Sequence, residues 1–178
     1  ASLPLTAKPI MISLANQLGQ TVQLAIWKNG CLLYIDQAFS SAPLSIIAPL
    51  YEPVPINASA SAKVILGLLQ EEEALNAVES CTFQKLTANT ITDKDTFLNE
   101  ISKCRCCGYG YDNEEFSLGI GCLAVPIFDA EKNCIGALGI TGSIQEYRKE
   151  STFQNMLQAL LNASSNITSH LGTIGPSL

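Results

Sequence analysis

The sequence predicts an α+β domain in which a mostly antiparallel sheet lies between helices. Two observations support this fold class: helical spacing of apolar residues at both ends of the chain, and alternating apolar residues in hairpin-linked pairs between them. With 178 residues, 47% of them hydrophobic and 15% charged, the chain suits one packed globular domain over residues 1–178.

The N-terminal part predicts a helix followed by a β-hairpin. Apolar residues between Ile10 and Leu18 recur at near-helical spacing, and Gly19 is suited to end the helix. Apolar residues alternate over Val22–Ile26, and Asn29-Gly30 is a strong signal for a tight turn. Leu32–Ile35 then returns as the second strand of the hairpin.

The middle of the chain predicts one further strand and three helices. In order, these are a third strand over Leu44–Leu50 and helices over Ser59–Leu69, Glu71–Val78 and Thr92–Cys106. Asp95 follows Thr92 at the spacing of a capping box, with Asp in place of the usual Glu or Gln.

The C-terminal part predicts a second hairpin and a long helix. Ile120–Phe128 and Cys134–Ile140 form the hairpin around the turn at 129–133. Ser151–Leu171 carries an apolar stripe at helical spacing, formed by Phe153, Met156, Leu157, Leu160, Leu161, Ile167 and Leu171.

Charge and hydropathy exclude several classes of function for this chain. Its 16 acidic and 10 basic residues give a net charge of -6, whereas nucleic-acid affinity rests largely on clustered Lys and Arg. No apolar run approaches the roughly 20 residues that span a bilayer. We therefore expect a cytoplasmic protein with no membrane contact and no DNA-binding surface in these residues.

The seven cysteines predict reduced thiols, because their number is odd and their spacing fits no disulfide scaffold. The run Cys104-Arg105-Cys106-Cys107 invites a zinc interpretation, but structural zinc needs about four spaced ligands and His170 is the only histidine. We expect no metal and no cofactor, with one or two of these thiols packed and one exposed.

The segment from Tyr109 to Gly142 predicts a ligand pocket. It places Asp112, Cys122 and Thr141 within one local unit of otherwise apolar strands, where one small polar ligand could touch all three. Strand alternation puts Ile120 on the same face as Cys122. Asn113, Glu114 and Glu115 are expected to form a solvated turn.

Four segments, in order, carry a family resemblance: PINASASAK at 55–63, LTANTITD at 86–93, GYGYDNEEFSLGIGCLAVPIFD at 108–129 and GALGITG at 136–142. Together they resemble the effector-binding domain of the isocitrate lyase regulator (IclR) family of bacterial transcription factors. The resemblance implies a GAF-like fold, a ligand-sensing role without catalysis, and a homodimer or homotetramer. It also implies a longer parent protein, whose N-terminal winged helix-turn-helix, absent from this chain, binds operator DNA.

The resemblance also implies four walls of a pocket for a small organic acid. Backbone N–H groups at Ala60 and Ser61 would hold the ligand carboxylate, as a helix N-terminus does. Asp112 would accept a ligand hydroxyl and repel a second carboxylate. Ile120 and Cys122 would form the floor. Ordinary structural roles stay open for these residues: helix capping at Ser61, turn capping at Asp112, and a small packed hydrophobe at Cys122.

Gly139 and Thr141 form the fourth implied wall, where relatives often have two serines. The missing side chain at Gly139 suggests an enlarged pocket, and hence an effector bulkier than glyoxylate or pyruvate, such as a sugar acid or another hydroxylated acid.

Two other classes of function stay open. The first is a thiol enzyme or redox sensor that uses Cys122 or the 104–107 cluster, which requires a thiolate of lowered pKa. The second is a dimerisation module that binds no ligand.

Overall fold

The structure is a computed structural model that describes residues 2–41 and 46–172. Its strands are β1 (Thr21–Lys28), β2 (Cys31–Ala38), β3 (Gly110–Asn113), β4 (Ile120–Phe128) and β5 (Cys134–Ser143). They form one antiparallel sheet in the order β2-β1-β5-β4-β3. Its helices are α1 (Leu3–Leu18), α2 (Ala60–Leu68), α3 (Glu71–Glu79), α4 (Lys94–Cys107), α5 (Ile144–Tyr147) and α6 (Glu150–Gly172), with a 3-10 turn at Ile56–Ala58.

The sheet lies between two helical layers, each with its own apolar core. On one face, α1 and α6 pack against side chains such as Leu24 and Leu138. On the other face, α2, α3 and α4 pack against Leu32 and Ala137. The predicted α+β class is therefore confirmed. Within the described ranges, no helix is both long and apolar enough to cross a membrane.

Most predicted elements are confirmed, with local chemistry that explains their ends. Gly19 ends α1 in the left-handed conformation with φ 64°. Asn29 and Gly30 both have positive φ, 52° and 76°, as the tight turn of a two-residue hairpin requires. Ser59 caps α2 by accepting a hydrogen bond from the Ala62 N–H at 3.1 Å.

The predicted third strand over Leu44–Leu50 is wrong for the residues that the structure describes. Positions 44 and 45 lie outside those residues, and 46–50 form no strand. Pro49 and Pro53 have no N–H to donate to a ladder. The segment runs beside β2 through single contacts instead: the Gln37 side-chain amide bonds both backbone groups of Ala48, and the Tyr51 N–H donates to the Tyr34 carbonyl.

Several boundaries and two short elements also differ from the sequence prediction. Helix α4 begins after Asp93 rather than at Thr92, because the Asp93 carboxylate accepts the Thr96 N–H at 2.8 Å and acts as the N-cap. Strand β3, which ends at Asn113 of the predicted turn, was not predicted, because four residues are too few to show an alternating pattern. The short helix α5 was also missed, because its four residues are too few to show helical spacing of apolar residues.

The outer edge of β4 is only partly covered by a strand, since β3 pairs with Gly121–Ala124 alone. Farther along β4, hydroxyl groups of α6 take the exposed carbonyls. Ser164 donates to the Pro126 carbonyl at 2.6 Å, and Thr168 donates to the Phe128 carbonyl at 2.6 Å. These bonds fix α6 to this end of the sheet.

The first turn of α2 approaches the sheet so closely that only glycine fits beneath it. A Cβ atom at Gly110 would lie 2.4 Å from the Ala60 carbonyl oxygen, well inside van der Waals contact. Gly110 therefore sets the distance between α2 and β3.

We predict that Gly110→Ala destabilises the domain by about 1–3 kcal/mol, because α2 must move away from the sheet to admit the methyl group. Urea unfolding measures the change. Gly172→Ala is the matched control, since its Cβ would meet only Ala130 at 4.0 Å. Equal stability of the two variants would contradict the close-approach explanation.

Candidate ligand-binding site

A cavity of about 420 Å³ lies between the start of α2, one face of the sheet and the proline-rich segment at 46–55. Its walls are mostly apolar, with side chains that include Ile47, Val54, Leu86, Phe116 and Ile120. Its polar groups come from Gln23, Tyr34, Ser59, Asp112, Ser117, Cys122 and Thr141. An apolar cavity with a few convergent polar groups is the usual form of a small-molecule site.

Three of the polar side chains form a row across neighbouring strands. Asp112 on β3 is paired with Cys122 on β4, which is paired with Thr141 on β5. Directly paired residues project from the same face of a sheet, so the three side chains lie side by side. The Cys122 thiol donates to Thr141 Oγ1 at 3.0 Å. The structure thus brings together the three polar residues that the sequence singled out.

Asp112 is buried, with 2% of its surface exposed. Its Oδ1 atom accepts the Glu115 N–H at 2.7 Å and the Phe116 N–H at 3.4 Å. Burial raises the pKa of Asp112 to about 6, while the Glu115 N–H bond opposes that rise. Among the described residues that line the cavity, Asp112 is the one with an ionisable carboxylate, and none is Lys or Arg.

Tyr34 brings a phenol to the cavity from β2, beside the cap of α2. Burial raises the pKa of Tyr34 well above its ordinary value, and the charges of Cys122 and Asp112 act in the same direction. Hydrogen bonds with the Ser59 and Ser61 side chains oppose that rise. The phenol therefore stays protonated and keeps a hydrogen to donate.

The start of α2 supplies backbone donors at the cavity wall. Ser59 caps the Ala62 N–H, and the Lys63 N–H bonds the Ser59 carbonyl. The N–H groups of Ala60 and Ser61 have no partner among the described residues, as is usual for the first turn of a helix. Ala60 itself lines the cavity.

Five of the seven predicted site residues line the cavity: Ala60, Asp112, Ile120, Cys122 and Thr141. Ser61 and Gly139 do not. A Cβ atom at Gly139 would lie 3.3 Å from Ser61 Oγ and 3.3 Å from the Leu123 carbonyl oxygen. The Ser61 side chain therefore occupies the space over Gly139, and the expectation that Gly139 opens extra room for a ligand is wrong.

The sequence suggested that Glu114 and Glu115 belong to a solvated turn, and this expectation is also wrong. Glu115 is 7% exposed and pairs with Lys63 at 2.8 Å. Glu114 accepts the Gly119 N–H at 2.8 Å and pairs with Arg148 at 3.0 Å. Asn113 alone is exposed.

Sequence reasoning missed several cavity residues. Gln23 had a usable signal, because it is a polar residue in the middle of a strand that is apolar on both sides. Tyr34 had none, because an aromatic residue in a predicted strand is usual, and Leu86 and the 46–55 segment had none, because they lie in loops without periodicity.

A larger open groove of about 680 Å³ lies between α2, α4, the end of β4 and α6. Two of its hydroxyls, on Ser164 and Thr168, are already bonded to β4 carbonyls. The smaller cavity is therefore the better candidate site, because it holds the buried carboxylate and the helix start with unpaired N–H groups.

The cysteine cluster differs from the expectation of one exposed thiol. Cys104 is buried, whereas Cys106 and Cys107 are both exposed. Burial raises the pKa of Cys104 to about 12, and burial also raises the pKa of Cys122. Within residues 2–41 and 46–172, no group of three His, Cys, Asp or Glu side chains is placed to hold a metal ion.

The fold and this cavity are those of a domain that can bind a small molecule, and the family match assigns it to a regulator. Residues 2–169 match the family described as bacterial transcriptional regulator IclR C-terminal. The chain belongs to the IclR family, and these residues correspond to its C-terminal domain.

Individual relatives agree with that assignment. The HTH-type transcriptional repressor AllR of Escherichia coli strain K12 is 29% identical over 166 residues, which are 93% of this chain and 61% of that protein. The chain thus spans about three fifths of the length of that relative. The crystal structure of the Thermotoga maritima IclR matches with a TM-score of 0.88 and 27% identity, over 97% of this chain and 69% of that one.

A third relative shares the fold at lower identity. An IclR homologue from Microbacterium hydrocarbonoxydans, crystallised with 4-hydroxybenzoate, has a TM-score of 0.85 and 20% identity, over 96% of this chain and 68% of that one.

We predict opposite pH dependences for two Asp→Asn variants. The folded-state pKa of Asp112 is raised, so its contribution to stability is complete below about pH 4 and is lost as the pH rises through about 6. Asp112→Asn keeps the Oδ1 acceptor, so it should gain on the order of 2 kcal/mol relative to wild type between about pH 4 and about pH 7.

Asp129→Asn is the control for that experiment. The pKa of Asp129 is lowered from 3.8, first by a hydrogen bond from the Asn133 N–H, so this variant should lose stability relative to wild type as the pH rises to about 4 and show no further change above it. Urea unfolding across the pH range gives both differences. A pH-independent difference between Asp112→Asn and wild type would contradict the raised pKa.

We also predict that positions 61 and 139 are coupled. Gly139→Ala should destabilise the domain by about 1 kcal/mol, and by less when Ser61 is replaced with glycine. A double-mutant cycle measures the coupling, which should be at least about 0.5 kcal/mol. Ser61→Gly combined with Gly172→Ala is the control and should be additive. Additivity in the first cycle would mean that Ser61 does not fill the space over Gly139.

Proposed function

We propose that this domain senses a small monocarboxylic acid with an apolar body and at least one hydroxyl group, bound in the 420 Å³ cavity. The observation that carries the proposal is that one cavity combines groups that bind an anion with a group that binds a hydroxyl donor. The start of α2 offers unpaired N–H groups to an anion, and the cross-strand row offers a carboxylate to a hydroxyl donor.

The Asp112 carboxylate supports the monocarboxylate part of the proposal. At neutral pH a group with a pKa of about 6 is mostly ionised, and no cation lines the described cavity to neutralise a second ligand carboxylate. A dicarboxylic acid would therefore place two like charges in a space of low dielectric. One carboxylate at the helix start and one hydroxyl at Asp112 avoid that cost.

The cavity walls support an apolar ligand body. Prolines at 49, 53 and 55, together with Ile47, Leu86 and Phe116, contribute carbon surface and few hydrogen-bonding groups. A polyhydroxylated sugar acid would leave most of its hydroxyls unpaired there, which is unfavourable. The 4-hydroxybenzoate in the Microbacterium relative has the chemistry that this cavity favours.

For the longer protein, we propose that ligand binding controls operator DNA affinity through a separate N-terminal domain, in a homodimer or homotetramer. The support is the IclR family membership and the resemblance to a DNA-binding repressor. The ligand can change DNA affinity only as far as it distinguishes between two arrangements of the regulator.

The thiol-enzyme alternative is less well supported. The pKa of the Cys122 thiol is raised, first by burial and then by the Asp112 charge, whereas a nucleophilic cysteine needs a lowered pKa. The thiol suits a cavity floor better than a reaction centre.

We predict that 4-hydroxybenzoate raises the melting temperature of the domain more than benzoate does, because only the first can donate a hydrogen bond to Asp112. Asp112→Asn should reduce the difference in binding free energy between the two ligands by about 1–3 kcal/mol. Asp129→Asn, in an exposed turn, should leave that difference unchanged.

A thermal-shift panel with gluconate, pyruvate, glyoxylate and terephthalate completes the experiment. Preferential stabilisation by gluconate, pyruvate or glyoxylate would refute the apolar ligand body, and preferential stabilisation by terephthalate would refute the monocarboxylate rule. No stabilisation by any acid would favour the dimerisation module.

A further inference from the structure

We propose that Lys63 and Glu115 form a positioning pair for the cavity, holding Asp112 and the start of α2 in fixed relation although neither residue lines the cavity. The inference deepens the proposed function, and its effect on ligand affinity rests on that function. Its effect on the order of the cavity walls does not.

Lys63 on α2 is a buried charged side chain. It is 1% exposed, and its Nζ atom donates to the Tyr111 carbonyl at 2.7 Å and to Glu115 Oε1 at 2.8 Å. Glu100 lies farther from it, at 3.5 Å. A buried ammonium is tolerated only when several acceptors replace its water, so each of these bonds restrains the backbone or side chain that provides it.

Glu115 carries that restraint to Asp112. Its second carboxylate oxygen, Oε2, accepts the Asn113 N–H at 2.9 Å, and its own N–H donates to Asp112 Oδ1 at 2.7 Å. The ammonium on α2 thus bonds the Tyr111 carbonyl directly and reaches the Asn113 N–H through Glu115, so it is joined to the backbone on both sides of Asp112. This arrangement fixes the direction of the Asp112 carboxylate.

The same turn also holds a third wall of the cavity. The Thr87 hydroxyl donates to the Glu114 carbonyl at 2.6 Å, and the Thr90 hydroxyl donates to the Glu115 carbonyl at 2.5 Å. Thr90 Oγ1 in turn accepts the N–H of Leu86, a lining residue, at 3.0 Å. The residues at 113–115 therefore connect α2, β3 and the loop that carries Leu86.

The ion pair has a positional effect that an apolar pair could not reproduce. Apolar side chains of similar volume fill a buried space as well as an ion pair does, and often with higher stability. They do not, however, orient a backbone carbonyl, a backbone N–H and a carboxylate at the same time. Ala60 lies one helical turn before Lys63, so a ligand that bridges Ala60 and Asp112 spans the two walls that this pair joins.

Peptide-resolved hydrogen exchange tests the proposal without a ligand. Lys63→Met and Glu115→Gln should each accelerate exchange of the peptide at 109–119 by about tenfold or more, with a smaller rise at 84–91. Lys94→Met is the matched control, because Lys94 pairs with Glu79 at the surface, and it should change exchange at 109–119 by less than about twofold.

Further variants separate positioning from general stability. Lys63→Arg should restore most of the protection, because it keeps the charge. Glu115→Gln decides the question if Lys63→Met fails to fold. Unchanged exchange at 109–119, or a rise that is equal across the whole chain, would overturn the proposal.

Calorimetric titration with 4-hydroxybenzoate supplies the binding readout. If the wild type binds it, Lys63→Met and Glu115→Gln should weaken the Kd by about tenfold or more, and Lys94→Met should not. Equal affinity in all variants would overturn the positioning role. If the wild type does not bind and exchange still rises locally, the ligand class is wrong and the positioning pair stands.

Discussion

The shape of the cavity depends on how closely the first turn of α2 approaches the sheet, which is possible because β3 has a glycine, without a side chain, at the point of contact. Gly110 lies directly under the Ala60 carbonyl, and no side chain separates the helix from the strands there. The unpaired N–H groups at the helix start are thereby brought to the level of the cross-strand row. A larger residue beneath the helix would separate the anion-binding groups from the carboxylate, and the two chemistries would no longer meet in one space.

Charge is distributed around the cavity in a way that separates recognition from stability. The described lining includes one carboxylate and no cation, while Lys63 stands behind the turn with two glutamates. A cation inside the cavity would neutralise Asp112 and accept any anionic ligand. With the cation behind the turn, the carboxylate stays available to a ligand and its position is still fixed.

The sequence predicted most of the fold because both hairpins and the long helices carry periodic signals. It also singled out Asp112, Cys122 and Thr141 as polar residues in an otherwise apolar segment, although the pairing of β3 with β4 that aligns Asp112 with the other two was not predicted. It failed at Gly139, where a missing side chain suggested empty space. Ser61 fills that space, and contacts between distant segments have no signature in a single sequence.

The other errors have the same physical origin. The 46–55 segment lies along β2 through a side-chain amide and isolated backbone bonds, so it has neither strand nor helix period. The acidic residues near 114 resemble a hydrated turn until the buried Lys63, some fifty positions earlier, is placed beside them. A run of polar residues predicts a solvent-exposed segment only when no residue far away in the sequence pairs with it in the fold.

The hydroxyls of Ser164 and Thr168 have a consequence for association between molecules. A strand edge with free carbonyls is a template for strands of other chains, and β3 leaves part of β4 uncovered. Because α6 occupies the Pro126 and Phe128 carbonyls and proline has no N–H, this stretch offers little to an incoming strand. At this stretch of β4, α6 thus takes the place that a strand from another copy would need in order to extend the sheet.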